Sequence, residues 1–354
     1  MEDVAVVIGI DAHKETHTLV ATDGVGRQLD TKTVKATSEG HLAALQWAAR
    51  WQERSWAVED CRHLTRRLEG DLLRGGETVV RVPTRFMAEA RRASRERGKS
   101  DPFDALAVAR AAWREPDLPT ASLDGAWREL RLLVDHRDNL VAERTRIVCR
   151  LRWHLHELAP TLQVPAKGLR RQRVVSSVRA HLAGLQGTVA EIARELVERI
   201  GELNRRAGEL EAQIKALVVE VAPSLLAVPG CGALTAAKLV GETAGVARFR
   251  SKAAFARWNG TAPVPVWSGN PDRFRLSRGG NRQVNAALHR IAITQAGRPT
   301  LGRAYIERRM AAGNTRTEAL RLLRRRLSDV VFRTLVADEA SHSQEIREEP
   351  LRAA

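Results

Sequence analysis

The sequence predicts an α/β domain followed by a mainly α-helical remainder, and three observations carry that prediction. From Val4 to Pro83, short apolar runs alternate with stretches of helical periodicity, the pattern of a mixed sheet with helices on it. From Gly125 to Leu158, and again from Gly187 to Val221, the chain is long, amphipathic and charged. Leu196, Ile200, Leu203, Leu210, Ile214 and Leu217 recur at spacings of three, four or seven, the mark of an antiparallel helical coiled-coil span. From Pro223 onward, helical stretches are interrupted by Pro-Gly and Gly/Pro/Ser segments. The expected domains are residues 1–124, 125–222 and 223–337, with 338–354 a frayed or disordered tail.

The first strand is Val6-Val7-Ile8-Gly9-Ile10, closed by Asp11. An apolar run bounded by polar residues reads as a strand buried on both faces. A carboxylate at its end is costly to bury unless it is paired, hydrogen-bonded or bound to a cation. Thr18 to Ala21 with Asp23-Gly24 reads as the return strand of a hairpin and its turn. Arg27 to Val34 gives a third strand, and Ser38 to Trp51 a helix opened by Ser38 as its cap. Ser55 to Asp60 is a short strand that again ends in carboxylates. His63 to Arg74 is a helix, and Thr78 to Val82 a strand stopped by Pro83. Three opening strands followed by alternating helices and strands have the arrangement of a ribonuclease-H-type fold.

A basic stretch, Arg85 to Lys99, leads to Ser100, the expected N-cap of a helix with Pro102 in its first turn. Asp101 and Asp104 are three apart and share a face of that helix. Between the two long helices, Pro165 to Gly184 carries Lys167, Arg170, Arg171, Arg173 and Arg179 and reads as an irregular tip. Leu225 to Glu242 is a helix, a Pro-Gly-x-Gly turn and a second helix. It resembles a helix–hairpin–helix, whose glycines let backbone N–H groups approach a phosphate. Phe249 to Trp258, a Gly/Pro/Ser loop from Asn259 to Gly280, and helices from Asn281 to Ala296 and Arg316 to Leu335 complete the chain.

At 354 residues, with 44% hydrophobic residues and a mean hydropathy of -0.31, the chain has the composition of a core-forming protein. No apolar run approaches the roughly 18 residues of a membrane span, so no membrane partner is expected. Met1-Glu2-Asp3 is acidic and runs into a strand, without the features of a secretory signal. Cys61, Cys149 and Cys231 lie far apart and form neither a zinc pattern nor a disulfide framework, so a reducing cytoplasm is expected. The formal charge of +16, supplied mostly by arginine, calls for a polyanion, most readily nucleic acid. The candidate phosphate contacts are Arg91, Arg92, Arg95 and Lys99; Arg170 and Arg171; Arg273, Arg275, Arg278 and Arg282; and the run from Arg321 to Arg326. Over most of the long helices a solvated charged face accounts for the charge equally well.

Four carboxylates stand out: Asp11 and Glu59 at strand ends, and Asp101 with Asp104 at a helix start. In a ribonuclease-H-like sheet the first and fourth strands lie side by side, so their ends meet, and a late helix can bring its two aspartates across the same edge. Such clustering requires neutralising cations, and all-oxygen ligands select Mg2+ or Mn2+. Two such ions about 4 Å apart activate an attacking oxygen and stabilise a leaving one at a phosphodiester.

The order Gly9-Ile10-Asp11-x-His13-Lys14, then Glu59, then Lys99-Ser100-Asp101-x-x-Asp104-Ala105 resembles the DEDD transposases of insertion-sequence family one-hundred-and-ten. Val228-Pro229-Gly230-x-Gly232, Phe255-x-x-Trp258-x-Gly260, Ser268-Gly269 and Leu276-Ser277-Arg278-x-Gly280-Asn281 follow in the family's order, so the resemblance spans residues 4–337. It implies a RuvC-like domain, a coiled-coil span and a C-terminal transposase domain bearing a serine nucleophile. It also implies a structured bridge RNA that pairs with donor and target DNA. Asp11, Glu59, Asp101 and Asp104 match the acidic tetrad as metal ligands, and Ser268 matches the serine of the Ser-Gly motif. Asp60 is an alternative ligand to Glu59, and Ser277 a distant alternative nucleophile. Pro102-Phe103 and Trp267 depart from the more usual residues.

On that reading Ser268 attacks the scissile phosphate and holds one DNA end as a phosphoserine. The acids of one subunit meet the serine of another in a homo-oligomer, a dimer or tetramer. Two other readings remain: a metal-dependent nuclease or junction resolvase that uses water, and a non-catalytic RNA-binding protein descended from a transposase.

Overall fold

In the computed structural model of the chain the described residues are 5–84, 86, 100–115, 118–121, 123, 125–265, 274–276 and 279–352. They divide into two compact units, Met1–Asp124 and Gly125–Ala354.

The first unit is built on strands β1 (Val6–Ala12), β2 (Thr16–Thr22), β3 (Gln28–Lys35), β4 (Arg54–Glu59) and β5 (Val79–Val82), in the order β3-β2-β1-β4-β5. β1, β2 and β3 are antiparallel neighbours, whereas β4 and β5 continue the sheet parallel to β1. The central strand is covered on both faces, which is why its sequence is continuously apolar. Ile8 and Ile10 pack with Trp56, Leu68 and Leu72 beneath helices α1 (Ser38–Ala48) and α2 (Arg62–Arg74). Val7 turns the other way, with Ala57 and Val82, against Ala107, Val108 and Ala111 of helix α3 (Asp101–Arg114).

The cap of α1 is Thr37, not Ser38: Thr37 has extended backbone and its hydroxyl accepts from the Gly40 N–H at 3.2 Å. Ser38 is already one residue inside the helix, which stops at Ala48 rather than Trp51. On the face covered by α2, the Arg81 guanidinium donates to Glu69 at 2.6 Å, both side chains being about 5% exposed, and the Thr65 hydroxyl donates to the other Glu69 oxygen. Removing one partner of such a pair strands a buried charge. Glu69→Ala is therefore expected to cost roughly 3–5 kcal/mol, read as a lower urea midpoint for unfolding of the first unit.

In the second unit α4 (Ala126–Leu158) and α6 (Thr188–Val221) run antiparallel, tied by Arg137 to Glu211, Arg144 to Asn204 and Arg199 to Glu143. The expected irregular tip is instead a 3-10 turn, Gly168–Arg170, and a helix, α5 (Gln172–Ala183). Its Val175, Val178 and Leu182 follow helical spacing and pack on Leu151 and Ile200; the interleaved arginines mask that pattern in the sequence. At their other end α4 and α6 enter a core shared with the C-terminal helices. There Leu130, Val134, Ile214 and Val218 join Leu239, Phe255, Leu288 and Val331. The chain turns at Ala222 and Pro223, but the core is continuous across that turn, with Ala222 and Leu225 buried in it.

The remaining elements are α7 (Pro223–Leu226), α8 (Ala233–Thr243), α9 (Lys252–Trp258), β6 (Pro263–Pro265), β7 (Phe274–Leu276), α10 (Arg282–Ala296), α11 (Leu301–Ala311) and α12 (Arg316–Arg352). β6 and β7 form an antiparallel ribbon within the stretch expected to be a loop. α11 has only Gly302 and Ile306 buried, too few apolar residues to announce it. α12 continues to Arg352, past the expected end near Leu335 and through the expected tail. Asp338 accepts from the Ser224 N–H at 3.3 Å and Glu339 from the Val246 N–H at 2.6 Å, so residues that read as polar tail are anchors. Among the described residues no helix is long and apolar enough to cross a membrane.

Candidate active site

Strand alternation sets the site. In β1, Val7 and Gly9 face α3, so Asp11, and His13 just beyond the strand, fall on the same side. In β4, Ala57 faces α3 and Glu59 follows two residues later. Because β1 and β4 are parallel with Ile10 opposite Val58, the next residues, Asp11 and Glu59, arrive at the same end of the sheet.

Gly9 lets the helix come down onto them. A Cβ built there would lie 2.1 Å from the Ala105 carbonyl oxygen and 2.6 Å from the Ala109 nitrogen, so the α3 backbone crosses directly over β1. Asp101 is one turn before Ala105, and Asp11 is two residues beyond Gly9. A helical turn advances about 5.4 Å and two strand residues about 6.6 Å, so contact at Gly9 carries Asp101 over Asp11. Ser100 takes the extended N-cap conformation but makes no side-chain cap bond; its carbonyl accepts from the Asp104 N–H at 3.1 Å. Asp101 and Asp104 stand in the first turn, where the helix dipole favours negative charge.

The result is a cluster of three. His13 Nε2 lies 3.0 Å from Asp11 Oδ2 and 3.4 Å from Asp101 Oδ1, and one donor atom from each residue falls within 4.8 Å of the others. The Asp11 side chain is 14% exposed and that of Asp101 49%, so the cluster has a buried wall and an open side. Asp104 is buried behind it. Burial raises the Asp11 carboxyl above its ordinary range; the charges of Asp104 and Asp101 add to this, while His13 opposes it. Burial also pushes up the Cys61 thiol, with the charges of Glu59, Asp60 and Asp11 contributing, so the end of β4 lies within electrostatic reach of Asp11. Two carboxylates and an imidazole converging on one point are a donor set for a divalent cation.

The tight cluster among the described residues thus contains Asp11 and Asp101 of the expected four acids. Glu59, at the end of the neighbouring strand β4, and the buried Asp104 are not among the three, and His13 joins in addition. The signal for His13 was present as Asp11-x-His13, a spacing of two that puts both side chains on one face of a strand.

Ser268 and Ser277, together with Arg273, Arg278, Arg91, Arg92, Arg95 and Lys99, lie outside the described residues. Arg275 belongs to β7, where its backbone pairs with Val264. What is described is the base of the segment carrying Ser268. Gly260 (φ 72°) and Gly280 (φ 88°) meet back to back, and a Cβ at Gly280 would lie 2.5 Å from the Trp258 carbonyl oxygen. Asn281 donates its N–H to that carbonyl at 2.7 Å, caps α10 by accepting from Val284, and donates its amide to Glu242 at 2.7 Å. One turn back on α8, the buried Lys238 ammonium bridges Asp135 (3.1 Å) and Asp138 (3.0 Å) of α4.

The expected helix–hairpin–helix has a first helix of only four residues, and a Cβ on its turn glycine Gly230 would lie 3.0 Å from the Thr294 side chain, whereas one on Gly232, at the start of α8, would meet open space. Of the expected cationic contacts, Arg170, Arg171 and Arg282 are exposed. Arg324 is engaged by Asn285 and Arg325 by Asp329, while Arg321 is exposed and Arg326, also exposed, stacks over the Tyr305 ring.

Two family models match this chain. One, a transposase model for DEDD proteins of IS110 elements, covers residues 8–160, and the other, for the transposase IS116/IS110/IS902 family, covers residues 222–307. A protein of insertion element IS116 from Streptomyces clavuligerus is 27% identical over 380 residues, covering 93% of this chain and 94% of that protein. The transposase for insertion sequence element IS1111A of Coxiella burnetii is 23% identical, covering 81% of this chain and 77% of that protein. Among solved structures, T. thermophilus RuvC in complex with a Holliday junction substrate aligns with 31% of this chain and 94% of its own, at 18% identity and a TM-score of 0.24. The first family model takes in Asp11, Glu59, Asp101 and Asp104, and the second runs from Ala222 through the clasped segment into α11. The chain belongs to the IS110 family and is a DNA transposase.

Proposed function

We propose that the chain cleaves and rejoins DNA strands through a phosphoserine intermediate under RNA guidance, to excise and insert a mobile element. The observation that carries this reading is the convergence of Asp11, His13 and Asp101 at one end of the sheet, with Asp104 buried behind them. The strand order β3-β2-β1-β4-β5, three strands antiparallel and two parallel, supports a ribonuclease-H-like first domain. Asp11, Glu59, Asp101 and Asp104 would hold Mg2+ or Mn2+, which when bound supplies Lewis acidity to a phosphodiester oxygen. Glu59 is preferred to Asp60 because it shares strand parity with Ala57, on the side of Asp11.

Ser268 Oγ loses its proton and attacks phosphorus; the P–O3′ bond breaks as the P–Oγ bond forms. A 3′-hydroxyl of the exchanged strand then attacks the phosphoserine and restores a phosphodiester, so bond energy is conserved without ATP. A serine hydroxyl is a weak nucleophile until a base or cation activates it. We therefore place the serine of one subunit against the acids of another, in a dimer or tetramer. Recognition of a structured RNA falls to exposed cations such as Arg170, Arg171 and Arg282 through shape and backbone contacts, and sequence choice falls to base pairing.

The test is a denaturing gel after reaction with end-labelled DNA and the transcribed guide. The wild-type protein should leave a protein–DNA adduct that survives denaturation, and Ser268→Ala should leave none. Cut DNA without an adduct in both would point to hydrolysis and sink the serine mechanism. Loss of the adduct only in Ser277→Ala would move the nucleophile to that residue.

A further inference from the structure

We propose that His13 is a direct ligand of the divalent cation, and that its nitrogen tilts the site toward Mn2+ over Mg2+. The inference rests on the reading that this site holds a divalent cation. It departs from the all-oxygen set expected from the four acids.

His13 Nε2 has two carboxylate oxygens in front of it, Asp11 Oδ2 at 3.0 Å and Asp101 Oδ1 at 3.4 Å. A ring nitrogen carries at most one proton and directs it along one line. A single N–H therefore serves one of the two oxygens well, whereas a cation serves both oxygens and the nitrogen lone pair together. The spacing fits that second arrangement. With metal–ligand bonds of about 2.1 Å, neighbouring corners of an octahedron lie about 3.0 Å apart. Two of the three donor-atom separations, 3.0 and 3.4 Å, are close to that spacing, and all three atoms lie within 4.8 Å of one another.

The backbone holds the imidazole there. His13 donates its N–H to the Thr16 carbonyl at 2.9 Å, closing the β1–β2 hairpin, and Asp11 is fixed in the sheet opposite Thr18. Asp101 arrives from α3 by the close approach at Gly9. The imidazole is thus presented by the turn that follows the catalytic strand.

A nitrogen donor changes which ion is preferred. Mg2+ favours oxygen ligands and sheds water reluctantly, whereas imidazole is a good ligand for first-row transition metals. Of the two ions expected here, Mn2+ gains more from His13.

The decisive measurement is pulsed electron paramagnetic resonance on the full-length protein loaded with Mn2+. Wild type should show modulation from a directly bound nitrogen, and His13→Gln should bind Mn2+ without it. Calorimetric titration should show the Mn2+-to-Mg2+ affinity ratio falling about tenfold in His13→Gln, within the range seen for altered metal environments. Mn2+ bound by wild type with no nitrogen coupling would overturn the proposal while leaving the metal site standing. Failure of wild type to bind Mn2+ more tightly than Asp11→Asn would overturn the metal reading itself, and this inference with it. The wild-type spectrum decides the point even if His13→Gln folds poorly.

Discussion

Asp11→Asn is expected to lower DNA strand cleavage by about a thousandfold, while the protein remains as stable as wild type or becomes more so. The two effects share one cause. Asp11 is held in a poorly solvated position beside Asp101 and Asp104, and its carboxyl is raised above the ordinary range. A carboxyl raised by folding contributes stability below its unfolded pKa, and that contribution is lost as pH rises through the folded value. At neutral pH the ionised Asp11 is therefore a cost to the metal-free protein, and the isosteric amide removes it. The melting temperature of Asp11→Asn relative to wild type should rise with pH across the carboxylate range when measured in chelator. Divalent ions should stabilise wild type and not the variant. A variant that melts lower than wild type at pH 7 in chelator, or one that still cleaves, would contradict the argument.

Gly9→Val should be strongly damaging to the first unit, and Gly9→Ala damaging in proportion. The added Cβ would stand 2.1 Å from a backbone oxygen of α3 and 2.8 Å from the Ala109 side chain, so neither element yields by rotating a side chain. Overpacking of this kind costs typically 1–3 kcal/mol. Here the backbone contact places the alanine at the upper end and the valine beyond it. If α3 slides away, Asp101 leaves Asp11 and His13, and cation binding fails before the fold does. Urea denaturation measures the first effect and Mn2+ titration the second. A Gly9→Ala protein with wild-type affinity for Mn2+ would show that the helix does not set the site.

Much of this was legible in the sequence because it depends on parity and period. The run Val6 to Ile10 announced a strand covered on both faces, and the alternation within it fixes the face of Asp11. Pro102 after Ser100 announced the start of α3, hence the position of Asp101 and Asp104. His13 stands two residues after Asp11 on the same face, but that spacing marks a site only once a carboxylate from elsewhere, Asp101, reaches it. The helix Gln172–Ala183 was hidden by arginines that stay in solvent while Val175, Val178 and Leu182 are buried. In the sequence the stretch from Asp338 to Ala354 reads as a frayed or disordered tail, as chain ends commonly are. The partners of Asp338 and Glu339, the Ser224 and Val246 backbone N–H groups, are more than ninety residues away, beyond the reach of any local pattern.

The clasp under the Ser268 segment has a mechanical consequence. Asn281 is bonded to Glu242, and one turn away Lys238 is clamped between two aspartates of α4, a helix of 33 residues. A load applied at the distant end of that arm, by a second subunit or a nucleic acid, is delivered through ion pairs and packed helices and not through a slack hinge. The far end of the arm is thereby coupled to the base of the segment that carries Ser268, the nucleophile of the proposed mechanism.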